Sequence, residues 1–395
     1  LTGAGTSHAH DLEPLHVDGR YLKNPQGDIV TLHGLMMAVD DCWCEERKFW
    51  QGKDYEGAVR YEKQWVDSVL TLGWKIDYIR ILVSNGWITN EVTGEYDLNY
   101  FKQEGFFDKV YIPIIDYMNS KGVYAVLYYD GIRPENGLHQ IGDQTQQYAI
   151  EFWDYISSHP QIKNNPGVMM ELYNEPAKML GSDGRLNDAK DVKNYFQPMV
   201  DVIRCNGCDN VVWIPGMGLQ CYYSNYAVHP IEGENVGYAF HGYFIGNTWD
   251  SEITPICNMA PCMITETGWW NANDDEDETS TFGIAQKRDI DRMGNVGWNP
   301  LVDAQGIFLQ VNQPSPDGSL TVYNDPEACM VPTYNWYKEY ADTKTMPTSQ
   351  LKAVSVEMED APTSAFPGES RAMRLMAKFA DGRSWNVGSV AKVRG

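Results

Sequence analysis

The chain has 395 residues, and its 31 basic against 54 acidic side chains give a net charge of −23. That balance repels phosphate backbones and anionic membranes, so nucleic acid is excluded as a partner and a neutral substrate fits better. No apolar run reaches the roughly 18 residues that a transmembrane helix needs, and 43% hydrophobic with 22% charged residues describes a globular chain rather than a disordered one.

Aromatic residues are abundant, with 13 Trp and 24 Tyr. They serve a large core and also leave rings for a cleft that stacks flat ligands such as sugars. Eight cysteines over this length do not make a disulfide-stapled miniprotein. Cys205 and Cys208 form a C-x-x-C pair at a helix end rather than after a strand, and no second pair completes a zinc site. No metal and no cofactor are therefore expected. Cys257 and Cys262 are close enough in sequence for a local disulfide, a pairing that stays open. The chain begins at Leu1 without a signal peptide, which reads as a processed or trimmed start.

In chain order, residues 1–14 are small, polar and aperiodic and read as a loose tail. His8 and His10 within it read as an accidental pair. Two β-rich runs then flank Asn24-Pro25-Gln26-Gly27, the pattern of a hairpin. From there, short apolar runs alternate with helical stretches. The predicted strands are Val30–Leu35, Tyr78–Val83, Val123–Tyr129, Val168–Tyr173, Asn210–Pro215, Val236–His241, Cys262–Glu266 and Asn295–Trp298. Ile307–Val311 competes for the last. Tyr61, Trp65, Val69 and Leu72 repeat at helical spacing, as do Tyr148, Phe152, Tyr155 and Ile156, and then Tyr195, Met199 and Ile203. Tyr334–Tyr340 reads as a closing helix.

Eight strands alternating with helices predict an α/β fold, a (β/α)8 barrel over residues 15–347 with the hairpin at its start. The alternative, a doubly wound sheet, lacks a glycine-rich loop after the first strand. Residues 348–395 change to period-two alternation with a turn at Ala380-Asp381-Gly382, a short all-β segment. The acidic run Asp274–Glu278 lacks the ligand spacing of a calcium loop and reads as solvated.

Two strand ends carry chemistry. Met169-Met170-Glu171-Leu172-Tyr173-Asn174-Glu175-Pro176 is an apolar strand that stops abruptly in polar residues, and Pro176 forces the chain out of the sheet. Pro261-Cys262-Met263-Ile264-Thr265-Glu266 ends likewise in a carboxylate and runs on into Trp269 and Trp270. Three strand–helix units fill the gap between Glu175 and Glu266. The two carboxylates are thereby placed on strands four and seven, at the barrel face where active sites form. Two facing carboxyl groups, one protonated and one ionised, are what glycoside hydrolysis requires.

These motifs resemble glycoside hydrolase family 5, retaining endoglycanases built on (β/α)8 barrels. Asn174-Glu175-Pro176 resembles the family's acid/base strand end and Thr265-Glu266 its nucleophile strand end. His241-Gly242-Tyr243 is similar to its motif after strand six, and Arg80 in Tyr78-Ile79-Arg80-Ile81 to its strand-two arginine. The resemblance implies Glu175 as general acid/base, with a pKa raised by burial and by Glu266, and Glu266 as nucleophile. It implies that Asn174 bonds the sugar 2-hydroxyl, that Tyr243 and Arg80 hold Glu266 ionised, and that His241 lines the cleft. Trp269 and Trp298 are its candidates for sugar stacking, Trp298 foremost, whereas Trp213 reads equally as core.

One departure stands out. Members often end strand three with Asp-x-His, whereas here Tyr128-Tyr129-Asp130-Gly131 carries no histidine and His139 lies too far along. Different subsites are therefore expected. The C-terminal stretch around Lys378–Arg383 resembles the first strands of bacterial immunoglobulin-like modules. The implied activity is endo-hydrolysis of a β-1,4-linked polysaccharide, a β-glucan as in cellulases. The alternatives are a β-mannan on the same residues or a non-catalytic carbohydrate-binding barrel. A monomer is expected, secreted or held at a bacterial cell surface or periplasm.

Overall fold

The structure is a computed structural model that describes residues 12–38, 52–71, 76–83, 88, 93, 95–243, 248–267 and 281–299, together with short strands between 311 and 386. The tail histidines, Trp269, Trp270, the acidic run 274–278, Ile307–Gln310 and the closing helix at 334–340 lie outside the described residues. So does Leu72.

Eight parallel strands form one sheet in sequential order: Gly34–Ala38, Tyr78–Val83, Tyr124–Tyr129, Val168–Glu171, Val212–Pro215, Val236–Gly242, Cys262–Thr267 and Val296–Trp298. A parallel bridge between His33 and Trp298 closes the sheet into a barrel, and the Trp298 amide donates to the Leu32 carbonyl at 3.0 Å. This is the (β/α)8 architecture read from the sequence, and the last strand is 296–298 rather than its competitor. Val311 instead pairs with Val322 in a separate two-stranded ribbon.

The first strand differs from the expected Val30–Leu35. Ile29–Val30 belongs to an antiparallel sheet at the barrel's N-terminal end, where it pairs with Tyr21–Lys23 across the Asn24–Asp28 turn and with Thr345–Met346 on its other side. The barrel strand starts only at Gly34, where the ring of Tyr78 crosses so close that a Cβ would sit 2.5 Å from it. Only glycine admits that approach.

Alternation sorts the strand residues into two layers. Outward positions such as Ile79, Ile81, Leu127, Met170 and Ile264 meet the helices Tyr55–Thr71, Gln144–Ser158 and Ala189–Cys205 in the larger core. The predicted helical stripes are those buried faces: Tyr61, Trp65 and Val69 on the first helix, Phe152 and Ile156 on the second, and Tyr195, Met199 and Ile203 on the third. Inward positions at the barrel's lower half, among them Tyr78, Val126, Met169, Trp213 and Met263, form a separate apolar plug. Trp213 is therefore a core residue.

Beyond the barrel, Ala353–Glu359, Arg374–Phe379 and Ser384–Asn386 make a three-stranded antiparallel sheet whose middle strand approaches the helix Thr281–Met293. Cys205, Cys208, Cys257 and Cys262 are all free thiols, the last three buried. The C-x-x-C pair sits at a helix end followed by Gly207, as its sequence suggests. None of the described helices is long and apolar enough to cross a membrane.

Candidate active site

Above the apolar plug, the inward positions turn polar. Arg80 stands two residues above Tyr78, Glu171 two above Met169, His241 two above Ala239, and Thr265 two above Met263. Strict alternation would send Glu266 outward. A register shift in the pairing of strands six and seven places His241 opposite Glu266, so that Thr265 and Glu266 both serve the interior. Such bulges re-aim side chains at barrel rims.

Arg80 is the hub. It is fully buried and lies 3.6 Å over the ring of Tyr128. Its Nε and Nη2 donate to Glu171 at 2.6 and 3.1 Å, its Nη1 to Glu266 Oε1 at 2.8 Å, and its Nη2 also to Asn174 at 2.9 Å. Burial pushes its pKa down, but the negative Glu171 and Glu266 and the Tyr128 phenol outweigh that, so it stays charged. Glu171, wholly buried, also accepts from Thr265 Oγ1 at 2.9 Å and from Gln220 Nε2 at 3.0 Å. Four donors on one carboxylate compensate its desolvation.

Asn174 and Glu175 follow strand four. The Asn174 amide donates to the Tyr129 carbonyl at 2.8 Å, and the Trp153 indole N–H to the Leu172 carbonyl at 2.9 Å, pinning this exit beside strand three. Glu175 has φ 49°, the left-handed region, which costs a residue bearing a Cβ about 1–2 kcal/mol. That turn swings its carboxylate over the mouth. His241 Nδ1 lies 2.8 Å from Glu175 Oε1 and 3.4 Å from Glu266 Oε2, and Tyr243 Oη donates to Glu266 Oε2 at 3.4 Å. One atom from each of Glu175, His241 and Glu266 lies within 4.8 Å of the others. The His241 Nε2 is buried without a hydrogen-bond partner.

The expected rise in the Glu175 pKa needs correction. Burial does push the carboxyl up, but the hydrogen bond and charge of His241, with smaller contributions from Arg133 and Arg80, prevail and hold it below the ordinary 4.5. Burial and the negative Glu266 and Glu175 push the Tyr243 phenol well above its usual range, so it remains a donor.

The structure thus gathers Arg80, Asn174, Glu175, His241, Tyr243 and Glu266 at one mouth. Trp298 departs from expectation. It is 1% exposed, its ring packs edge-on against His33, and it belongs to the strand–helix layer with Val296 and Ile264. On strand eight it points out of the barrel and offers no face to a sugar. The inward neighbour is Asn299, which accepts from Tyr78 Oη at 2.6 Å. Trp269 lies outside the described residues. His139, as its position suggests, does not reach the site: it is buried against Tyr195 Oη at 3.0 Å, and burial lowers its pKa to about 4.

The sequence reading passed over Glu171, Gln220 and Tyr128 as site residues. It also noted Asp130 only as the absence of a histidine. Burial raises the Asp130 carboxyl, Arg133 opposes this through a contact at 3.4 Å, and both Arg80 and Glu266 act on it, so the end of strand three adds a carboxyl to those of Glu171, Glu175 and Glu266.

A closed (β/α)8 barrel with two carboxylates bridged by an imidazole at the C-terminal ends of strands four to seven has the construction of a glycoside hydrolase. Residues 67–299 match the family described as Cellulase (glycosyl hydrolase family 5). That match spans more than half of the chain, and the chain belongs to this family. It is 23% identical over 257 residues to Endoglucanase E-5 of Thermobifida fusca, covering 60% of this chain and 48% of that protein. It is 21% identical over 257 residues to Endoglucanase Z of Dickeya dadantii, covering 63% and 54%. The chain therefore spans about half the length of these curated relatives. Among solved structures it resembles the Saccharophagus degradans β-glucanase in complex with cellotetraose, with a TM-score of 0.59, 16% identity, and 86% of this chain and 97% of that one covered. The catalytic domain of Thermobifida fusca endoglucanase Cel5A gives a TM-score of 0.58 at 18% identity, covering 83% and 97%. These likenesses concern the fold.

Proposed function

We propose that the protein is a retaining, endo-acting hydrolase of a β-1,4-linked glucan. Glu175 serves as general acid/base and Glu266 as nucleophile. The observation that carries this reading is the approach of the two carboxylates, which bring one oxygen each within 4.8 Å and share one imidazole. Retaining enzymes hold their carboxyls about 5–5.5 Å apart, whereas inverting enzymes need about 6.5–9.5 Å to seat a water. The endoglucanase names of the relatives support a glucan over a mannan.

Glu266 Oε1 is tied to Arg80, which leaves Oε2 to attack the anomeric carbon. Glu175 protonates the departing oxygen and then deprotonates the water that releases the glycosyl group. His241 holds the Glu175 carboxyl toward its charged form. A bound glycan excludes water and makes that charge costlier, so the carboxyl takes up its proton in the complex. Asn174, itself anchored by Arg80, presents its amide to the sugar 2-hydroxyl.

The described site residues all lie on one barrel, and a monomer is the proposed acting species. A polymeric glucan does not enter cells, which supports an enzyme that acts outside the cytoplasm, secreted or at the cell surface or periplasm. In this reading residues 15–347 are the catalytic unit and 348–395 an immunoglobulin-like accessory segment. The antiparallel pairing of 353–359 with 374–379 supports that division, as does the docking of Thr345–Met346 back onto the N-terminal sheet.

Purified protein assayed on carboxymethylcellulose, lichenan, xylan and glucomannan, with product sizing, tests the reading. Internal cleavage of the glucans to short oligosaccharides is expected. Activity confined to glucomannan reassigns the substrate, and binding without cleavage overturns the enzyme.

A further inference from the structure

Three consecutive residues after strand five, Gly218, Leu219 and Gln220, adopt left-handed conformations with φ of 63°, 59° and 58°. Single residues visit this region routinely only as glycine or asparagine, and successive ones are rare. Gly218 meets a second constraint, since a Cβ there would lie 2.2 Å from the Tyr222 ring. Leu219 carries the conformation while its side chain remains 47% exposed, so core packing does not explain it. Backbone strain of this kind persists only where the surroundings impose it, and it concentrates at functional sites.

What the turn holds is the chain around Glu175. The Gly218 amide donates to the Ala177 carbonyl at 2.8 Å and the Leu219 amide to the Pro176 carbonyl at 3.1 Å. The Gln220 side chain, wholly buried, accepts the Glu175 backbone N–H at 2.8 Å and donates to Glu171 Oε1 at 3.0 Å and the Ala239 carbonyl at 3.2 Å. Only a primary amide fills this place: its oxygen faces an N–H and its nitrogen a carboxylate and a carbonyl. Gln220 thereby joins the left-handed backbone of Glu175 to the carboxylate that grips Arg80, and through Arg80 to Glu266.

We propose that Gln220, presented by the left-handed turn Gly218–Gln220, is a positioning residue that clips the Glu175 backbone in place and couples it to the Glu171–Arg80–Glu266 network. The role rests on the assignment of Glu175 as the proton donor. Its substrate-level consequence is selective: a loosened clip harms reactions that need a proton at the leaving oxygen and spares those that do not.

The test compares kcat and KM of wild type, Gln220→Leu and Leu219→Val on cellotetraose and on a dinitrophenyl cellobioside, whose leaving group needs no acid. Displacing a catalytic group by about 1 Å costs on the order of 10²-fold. For Gln220→Leu we expect kcat on cellotetraose to fall by about that factor with KM within about twofold, and the glycosylation rate on the aryl substrate to change less than about threefold. Leu219→Val removes no member of the buried network but strains the turn that presents Gln220, by placing a β-branched residue where φ is positive. It should show the same split at smaller size, and it serves if Gln220→Leu does not fold. Equal losses on both substrates, or none, overturn the proposal. If wild type cleaves neither substrate, the functional reading fails instead, and a crystal structure of Leu219→Val decides the clip. Glu175 leaving its left-handed conformation supports the clip, and Glu175 unmoved at φ near 49° overturns it.

Discussion

Glu266 and Glu175 face each other across the barrel mouth and are held by different means. Glu266 sits on a strand, 8% exposed, and is held by charge: Arg80 reaches it at 2.8 Å, and Arg80 is itself gripped by Glu171. Glu175 sits past the end of a strand, is more open, and is held through its backbone by a left-handed turn of another loop. A buried ion-pair network fixes a group that must not move. A hydrogen-bonded clip suits a group that must give and take a proton while the substrate arrives.

The largest test of that contrast is Glu266→Ala. Loss of the proposed nucleophile should lower turnover on every substrate on the order of 10⁵-fold, aryl glycosides included. Glu175→Ala should lower kcat on cellotetraose by about 10²–10⁴-fold, the usual worth of a general acid. On the dinitrophenyl glycoside the mutant should still form the glycosyl-enzyme, and added azide should restore turnover because it needs no general base. Losses of the same size in both mutants, with no rescue, would erase the difference between the two sides.

The nucleophile side should also dominate stability. Glu171→Ala leaves Arg80 buried beside Glu266 with one carboxylate too few, and removing one partner of a buried pair costs about 3–5 kcal/mol. Urea denaturation measures it; a cost below about 1 kcal/mol would mean that Arg80 does not depend on Glu171. The pH dependence sharpens the other side. In the free enzyme Glu175 is held below its ordinary 4.5, so its acid form is depleted as pH rises past that lowered value. The proposed uptake of a proton in the complex raises the carboxyl there. The alkaline limb of kcat should therefore lie at higher pH than that of kcat/KM, and His241→Gln should bring the two limbs together. Coincident limbs in wild type would contradict the part given to His241. The smallest effect concerns the C-terminal strands: deleting residues from 348 onward should leave turnover on cellotetraose nearly unchanged, and its abolition with a folded barrel would move the domain boundary.

The same contrast decides what could be read in the sequence. Alternation exposes the strand-borne side: Arg80 above Tyr78, and carboxylates where apolar strands stop, are visible as patterns of period two. Glu171 obeys that pattern, but it reads as one polar residue inside an apolar strand and is easily passed over beside Glu175. The bulge that turns Glu266 inward leaves no mark in the residues that form it. Trp298 shows the limit of locating a strand without fixing its register, because one residue's shift exchanges the two faces. The loop-borne side was the least legible. Left-handed φ at Glu175, Leu219 and Gln220 has no compositional sign, and Gly218 is its one glycine. Gln220 lies 45 residues from the backbone it supports, a distance no local motif spans.

The central claim, that the two carboxylates act in succession on one anomeric carbon, is tested most directly by NMR of the anomer released in the first turnovers on cellotetraose. Double displacement predicts that the β-anomer appears first and the α-anomer only later by mutarotation. Initial release of the α-anomer would mean a single displacement by water, and the assignment of Glu266 as nucleophile would fall.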